Sequence, residues 1–329
     1  MKCSVQIVSL ISNQVCFVNL LILCNFSIAY EITTKKLFKN LKIFSQLFIG
    51  ESMEYEKLEQ INEDGVFVPQ LGIEYPEVPD KRVLSVVPEC EVILDENYPY
   101  LDKSFKFNFM MNLQYLGIFV LVFLVNPIKF GLRIKGRKNL KPYKKILKEK
   151  GAITVSNHVY RWDFLGVLQA VKYRKMYFPT LHDNVIGSDR FMVRYAGGIP
   201  LPESFSGMKK FNEALDEVVS KGHWLHVFPE SCRWDYYQPI RPFKKGAFTF
   251  ALKYDRPIIP MAYSYRESKG LEKLFTGGKP CFTLNVGTPI FPDMSLSRKE
   301  CINKLRADCH KAMVELAGIK QNCWSPEGD

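Results

Sequence analysis

The chain has 329 residues, 47% hydrophobic and 24% charged, with a formal net charge of +11. It has the length of one large domain or one domain with an appendage, and the composition of an ordinary globular protein. Nine cysteines, an odd count with no C-x-x-C pair, argue against a disulfide framework and a zinc knuckle. The positive charge leaves nucleic acid, an anionic membrane surface and an anionic substrate as partner classes.

Two stretches carry no charge, residues 3–30 and 107–128. Each reaches the ~20 residues a spanning helix needs. The second is flanked asymmetrically. Residues 51–102 hold 14 acidic and 3 basic side chains and five prolines, whereas residues 129–150 hold 10 basic and one acidic. A basic flank favours the cytoplasmic face and attracts anionic headgroups. Lys35, Lys36, Lys39 and Lys42 follow the first stretch and ask for the same side. Two full spans cannot satisfy both. Residues 1–52 therefore read as an uncertain apolar segment: a signal or anchor, or a region upstream of a true start at Met53. Residues 53–104 read as an acidic, proline-containing segment and 105–130 as a membrane-associated helix. The main folded domain is expected over 131–320, with a tail at 321–329.

From about Ile134 strand and helix signals alternate. Strands are expected at Ala152 to Val155, Trp224 to Phe228, Pro257 to Tyr263 and Cys281 to Val286. Helices are expected at Asp163 to Tyr173, around Met208, Phe211, Leu215 and Val218 up to Gly222, and at Gly246 to Tyr254. A last helix opens with the capping box Ser297 and Glu300. The fold class is α/β: a mixed, largely buried sheet flanked by helices, preceded by an N-terminal membrane-associated helix.

Chemistry concentrates where strands end. Asn157-His158-Val159-Tyr160-Arg161-Trp162-Asp163 follows the strand AITV directly. A neutral imidazole suits removal of a hydroxyl proton, and a carboxylate beside it sets the tautomer and stabilises the imidazolium. Five residues is about 140° on an ideal helix, so the two meet only across a turn or an irregular helix start. A helix-capping aspartate gives the same letters, so other elements must raise the odds. Phe228-Pro229-Glu230-Ser231-Cys232-Arg233 also follows a strand; Glu230 and Arg233 there read either as a surface ion pair of little consequence or as contacts to an anionic substrate, with Arg233 offering a planar fork to a phosphate. Phe243-Lys244-Lys245-Gly246 is a basic turn opening a helix, and Pro257-Ile258-Ile259-Pro260 is a rigid apolar strand that is core or the wall of an acyl channel.

The order NH-x4-D, a glycine-rich segment, FPE-x-x-R, F-K-K-G and P-I-I-P resembles the glycerolipid and lysophospholipid acyltransferases over roughly Ile134 to Gly287. The resemblance implies that His158 is the general base and Asp163 its partner. It places Glu230, Arg233, Lys244, Lys245, Asn157 and Gly198 at the substrate. It implies an acyl-CoA or acyl-carrier-protein donor, a membrane lipid acceptor such as 1-acyl-glycerol-3-phosphate, no metal and no other cofactor. Two departures stand out. Ser231 and Cys232 replace the usual Gly and Thr of FPEGTR, and the segment Gly197 to Glu203 lacks the arginine that commonly ends the second block, with Arg190 and Arg194 upstream.

Three other readings compete. Cys232 with His226 suggests a thiol hydrolase, and His223, His226, Glu230 and Cys232 suggest zinc. Strand alternation separates His223 from His226 and makes co-ligation awkward. A non-catalytic membrane-binding protein would need only the apolar stretch and the basic run, but not His158 and Asp163. Nucleic-acid binding is not expected, since the basic residues abut a lipid-like segment and no reader motif is present.

Overall fold

The structure, a computed structural model, describes residues 58–61, 66–70, 72–83 and 86–327, all within the compact unit Tyr55–Asp329. The expectations for residues 1–52 lie outside the described residues. β1 (Leu58–Ile61) and β2 (Phe67–Gln70) form a two-stranded antiparallel ribbon. The segment from residue 72 onward then runs along the domain without regular strands.

α1 (Phe105–Lys129) follows, 25 residues long, with Ser104 capping the N–H of Phe107. Next come β3 (Arg133–Lys135), a 3-10 turn at Arg137–Leu140, α2 (Lys144–Glu149), β4 (Ile153–Ser156) and α3 (Asp163–Ala170). β5 (Met176–Thr180), α4 (Asp183–Ile186), α5 (Arg190–Tyr195), β6 (Gly198–Pro200) and α6 (Phe205–Ser220) continue the alternation. The chain ends with β7 (Trp224–Val227), α7 (Gly246–Lys253), β8 (Ile258–Arg266), α8 (Leu271–Thr276), β9 (Cys281–Val286) and α9 (Arg298–Ala317). The capping box of α9 forms as its sequence requires.

Seven strands build one mixed sheet in the order β3-β9-β8-β4-β7-β5-β6. β8, β4, β7, β5 and β6 are parallel, β9 is antiparallel to β8, and β3 is parallel to β9. β4 is buried at every position, as a central strand covered on both faces must be. Alternation along β8 sorts the two cores. Ile258 and Ala262 face one, with Phe248 of α7 and Leu305 and Met313 of α9, while Ile259, Met261 and Tyr263 face the other, with Val167 and Leu168 of α3. The architecture is therefore helix–sheet–helix.

α1 does not have the character of a membrane span. Among the described residues no helix is long and apolar enough to cross a membrane. α1 buries Met111, Val122, Val125 and Asn126 against the domain. Asn126 donates to Gln169 at 3.0 Å, and the Tyr115 hydroxyl reaches the carbonyls of Met176 and Ala196 at 2.9 and 3.0 Å. Phe105, Phe109, Leu116, Phe119 and Phe123 point outward instead. The basic run is also placed unexpectedly. Because β3 runs opposite to β4, it carries residues 137–150 to the sheet edge away from the C-terminal end of β4.

Candidate active site

The loops that leave β4 and β7 meet at the C-terminal edge of the parallel strands, where strand-to-helix transitions leave side chains accessible. Asp163 is the first residue of α3, and the positive end of that helix favours its carboxylate. The irregular turn before α3 brings it back onto His158, Nδ1 to Oδ2 2.6 Å. The same oxygen accepts the N–H of Val159 at 2.9 Å. Asp163 is 1% exposed and His158 22%, so the carboxylate is enclosed and the imidazole faces an opening. With Asp163 as acceptor the proton sits on Nδ1, which leaves Nε2 as the basic nitrogen. Phe228 stacks flat on the imidazole, centroids 4.0 Å apart at 18°.

Two buried groups hold this loop. Asn157 clamps β4 to β8, its Oδ1 accepting from the N–H of Tyr263 at 2.8 Å and its Nδ2 donating to the Tyr263 carbonyl at 3.3 Å. The Tyr263 hydroxyl donates to the carbonyl of Asp163 and rests on Gly166, where any Cβ would meet that oxygen at 2.2 Å. Glu230 lies beneath the histidine. Its Oε2 accepts the His158 N–H at 3.1 Å and Nη2 of Arg241 at 2.9 Å, and its Oε1 accepts the Arg241 N–H at 2.9 Å. Glu230 and Arg241 form an ion pair with side chains only 2% and 1% exposed. Burial works against the Arg241 charge, but Glu230 and Cys232 outweigh it and raise its pKa. Arg241 also stacks on Trp234 at 4.4 Å and donates to the carbonyls of Cys232 and Pro79. The main chain of Trp234 and Tyr236 pairs with the carbonyls of His158 and Val159 at 3.1 and 2.9 Å. The first and third motif blocks therefore share one site.

Residues 131–264 match the model of the family described as Acyltransferase. The human 1-acyl-sn-glycerol-3-phosphate acyltransferase beta is 27% identical over 207 residues, covering 61% of this chain and 70% of that protein. The Bos taurus 1-acyl-sn-glycerol-3-phosphate acyltransferase alpha is 25% identical over 174 residues, covering 51% of this chain and 58% of the bovine protein. Over this region the chain is similar to the 1-acyl-sn-glycerol-3-phosphate acyltransferases. A crystal structure of the 1-acyl-sn-glycerophosphate acyltransferase PlsC from Thermotoga maritima aligns with 66% of this chain and 84% of its own, at a TM-score of 0.43 and 18% identity. The Acyltransferase match and these relatives support an O-acyltransferase activity for this chain.

The remaining motif residues separate by position. Arg233 stands at the rim, 24% exposed, its Nε 2.8 Å from Oδ1 of Asp235 in an ion pair not aligned as a hydrogen bond. Burial pushes the Asp235 carboxyl up. Lys244 is exposed and pairs with Asp80 at 2.6 Å, and Lys245 is exposed where α7 begins. Asn157 and Glu230, expected at substrate, lie fully enclosed with their polar atoms bonded to protein. Gly198 begins β6, three strands from β4 or about 14 Å across the sheet. A Cβ there would strike Val193, so its smallness serves packing. Arg190 and Arg194 do not replace the missing arginine of the second block. Arg190 pairs with Glu89 at 2.6 Å, and Arg194 donates to the carbonyls of Pro99, Tyr100 and Gly198.

The residues of the rival constellations are dispersed. His226 holds Thr154 through Nδ1 at 2.9 Å, and burial drives its pKa down to about 3. The Cys232 sulfur accepts from Arg241 at 3.1 Å and faces the Lys81 carbonyl at 3.5 Å. His223 packs on Tyr177. Sequence reasoning missed Arg241, Asp235 and the strap at residues 75–81. Arg241 had one available signal, its place two residues before Phe243-Lys244-Lys245-Gly246.

Proposed function

We propose that the protein transfers a fatty acyl group from acyl-CoA or acyl-carrier protein to the free hydroxyl of a lysophospholipid, with 1-acyl-glycerol-3-phosphate as the acceptor in phospholipid biosynthesis. The His158–Asp163 pair carries the proposal. Nε2 of His158 removes the hydroxyl proton as the acceptor oxygen attacks the thioester carbonyl. The carbon–oxygen bond forms, the carbon–sulfur bond breaks, and the imidazolium returns its proton to the leaving sulfur. The Asp163 carboxylate fixes the tautomer and stabilises the transient imidazolium. No covalent acyl-enzyme, metal or other cofactor is needed for these steps. Arg233, Lys244 and Lys245 form the rim that meets the acceptor phosphate.

The enzyme works at a membrane, with its catalytic domain on the cytoplasmic side. The outward stripe of α1, Phe105, Phe109, Leu116, Phe119 and Phe123, supports a helix lying in the interface rather than through it. Anionic headgroups near Lys129, at the end of α1, complete that attachment. The test is acyl transfer by the purified protein across lysolipids differing in headgroup, with both donors. Ester formation with a phosphate-headed lysolipid is expected. Absence of transfer to every lysolipid with either donor rejects the proposal.

A further inference from the structure

α8 sits in the connection between β8 and β9, and it is amphipathic with its polarity turned inside out. Its carboxylate faces the protein. Glu272 is paired by Arg266 and by Arg133, at 2.7 and 2.8 Å, and the Arg266 hydrogen bond holds its carboxyl below the usual range. Arg266 also donates to the carbonyl of Gly131, the turn that ends α1. α8 is thereby fixed beside α1. The apolar residues face away: Leu271 and Leu274 are each 74% exposed and Phe275 is 50% exposed. An ordinary surface helix places such residues on the core and its charge in water. Here a pinned carboxylate holds three large apolar side chains outward.

The position of α8 gives that arrangement a purpose. Ser156, at the end of β4, pairs with Met261 of β8. β8 then runs on to Arg266, about 17 Å further, before α8 begins. α8 therefore projects beyond the sheet edge that carries His158. The outward stripe of α1 lies on its neighbour, and Lys273 and Lys269, the latter paired with Glu267 at 3.2 Å, stand exposed on the same connection, with Lys129 and Lys279 at its base. Apolar tips ringed by cations are the complement of a bilayer surface with anionic headgroups.

We propose that α8 is a lipid-inserting foot. Leu271, Leu274 and Phe275 enter the headgroup–acyl boundary beside the stripe of α1 and set the active-site edge toward the bilayer. The proposal rests on the assignment of a membrane-lipid acceptor, and its test separates the two. The full chain and a Leu271→Ser/Leu274→Ser/Phe275→Ser variant are floated with mixed phosphatidylcholine–phosphatidylglycerol vesicles. In parallel, turnover is measured with a short-chain lysolipid that stays monomeric in water. The variant is expected to lose about tenfold or more of its vesicle partition while turning over the soluble acceptor like wild type. A single Leu274→Asp change, at a position 74% exposed, removes apolar surface and adds repulsion from anionic headgroups, and is expected to lower partition in the same sense. Equal flotation of all three proteins overturns the foot, as does a wild type that does not float. A dimer seen by light scattering that dissolves in the variants while flotation is unchanged assigns the surface to a second copy and also overturns it. If flotation falls as expected but no protein transfers an acyl group to any lysolipid, the foot stands and the proposed reaction fails.

Discussion

The charged residues of the site divide into a floor and a rim. Asp163, Glu230 and Arg241 lie on the floor, with side chains 1–2% exposed and their partners close at hand. Arg233, Lys244 and Lys245 stand on the rim, where each is accessible to solvent. All but Arg241 belong to the motif blocks that spell the family pattern, so sequence alone puts them in one class. Burial separates them. A charge removed from water acts by holding other groups, because its loss leaves an uncompensated partner in a low-dielectric setting. A charge at the rim is screened and replaceable, and it acts by meeting a ligand.

The largest effect is expected where floor and opening meet. His158→Ala should lower turnover by ~10²–10⁴-fold or more, because general base catalysis is worth that much, while the fold is retained. Asp163→Asn should also be severe, since an amide cannot hold the Nδ1 proton in the same way and also faces the N–H of Val159. Steady-state turnover beside a thermal melt checks both. A His158→Ala protein with normal turnover sinks the mechanism.

Removing one member of the buried pair tests the floor itself. Glu230→Gln or Arg241→Met should cost about 3–5 kcal/mol of stability, as broken buried pairs do. Glu230→Gln should also lower kcat more than it changes KM, because Glu230 holds the His158 main chain at 3.1 Å and touches no opening. Denaturant unfolding with a kcat and KM comparison reads both. A Glu230 that bound substrate instead would show its loss chiefly in KM, with stability intact.

His226 is a floor residue with no catalytic contact, and it sharpens the contrast through pH. Burial depresses its pKa from 6.5 to about 3, so the folded protein holds it neutral. Between those values the unfolded chain binds the extra proton, and stability rises with pH. The contribution is fully present above about pH 6.5 and is lost as pH falls toward 3. Its limiting slope is about 1.4 kcal/mol per pH unit. His226→Gln should flatten that acid limb, measured by unfolding at a series of pH values. An unchanged slope would mean that His226 does not stay neutral in the folded state.

Much of this division was out of reach of the sequence. The strand–helix alternation read well wherever periodicity was strong: β9 has the expected bounds, and α9 carries its expected cap. Short edge strands did not. β6 is three residues long and ends in proline, too brief to show a period. The pairing of His158 with Asp163 was legible because both lie in one short loop. The Glu230–Arg241 pair was not, since the fold brings eleven residues of irregular chain back on themselves. The 22 uncharged residues at 107–128 read as a possible span because hydropathy is blind to facing. Tyr115 and Asn126 hydrogen-bond to the domain, and among the described residues the large outward side chains of Phe109, Leu116, Phe119 and Phe123 fall on one stripe.

The smallest effects belong to the rim, and their sign is more informative than their size. Lys244 is bound by Asp80, a residue of the strap that also gives main-chain carbonyls to Arg241 and Trp234. The hydrogen bond from Lys244 holds the Asp80 carboxyl below its usual range, so Asp80 stays ionised at neutral pH. Both side chains are largely in water, and the pair contributes little to stability. If Lys244 meets the acceptor phosphate, Asp80 competes with the substrate for it. Lys244→Ala should then raise KM for a phosphate-headed lysolipid by about threefold to tenfold with kcat nearly unchanged, the signature of binding made equally in ground and transition states. Asp80→Asn should move KM the other way, downward by about twofold, because the lysine is released to the ligand. Added salt should shrink both differences, since exposed charges are screened over about 8–10 Å. If Lys244 served only to tie the strap, both substitutions would break the same contact and shift KM in the same direction. Opposite signs in parallel KM measurements at low and high salt therefore place Lys244 at the ligand, and equal signs place it in the strap.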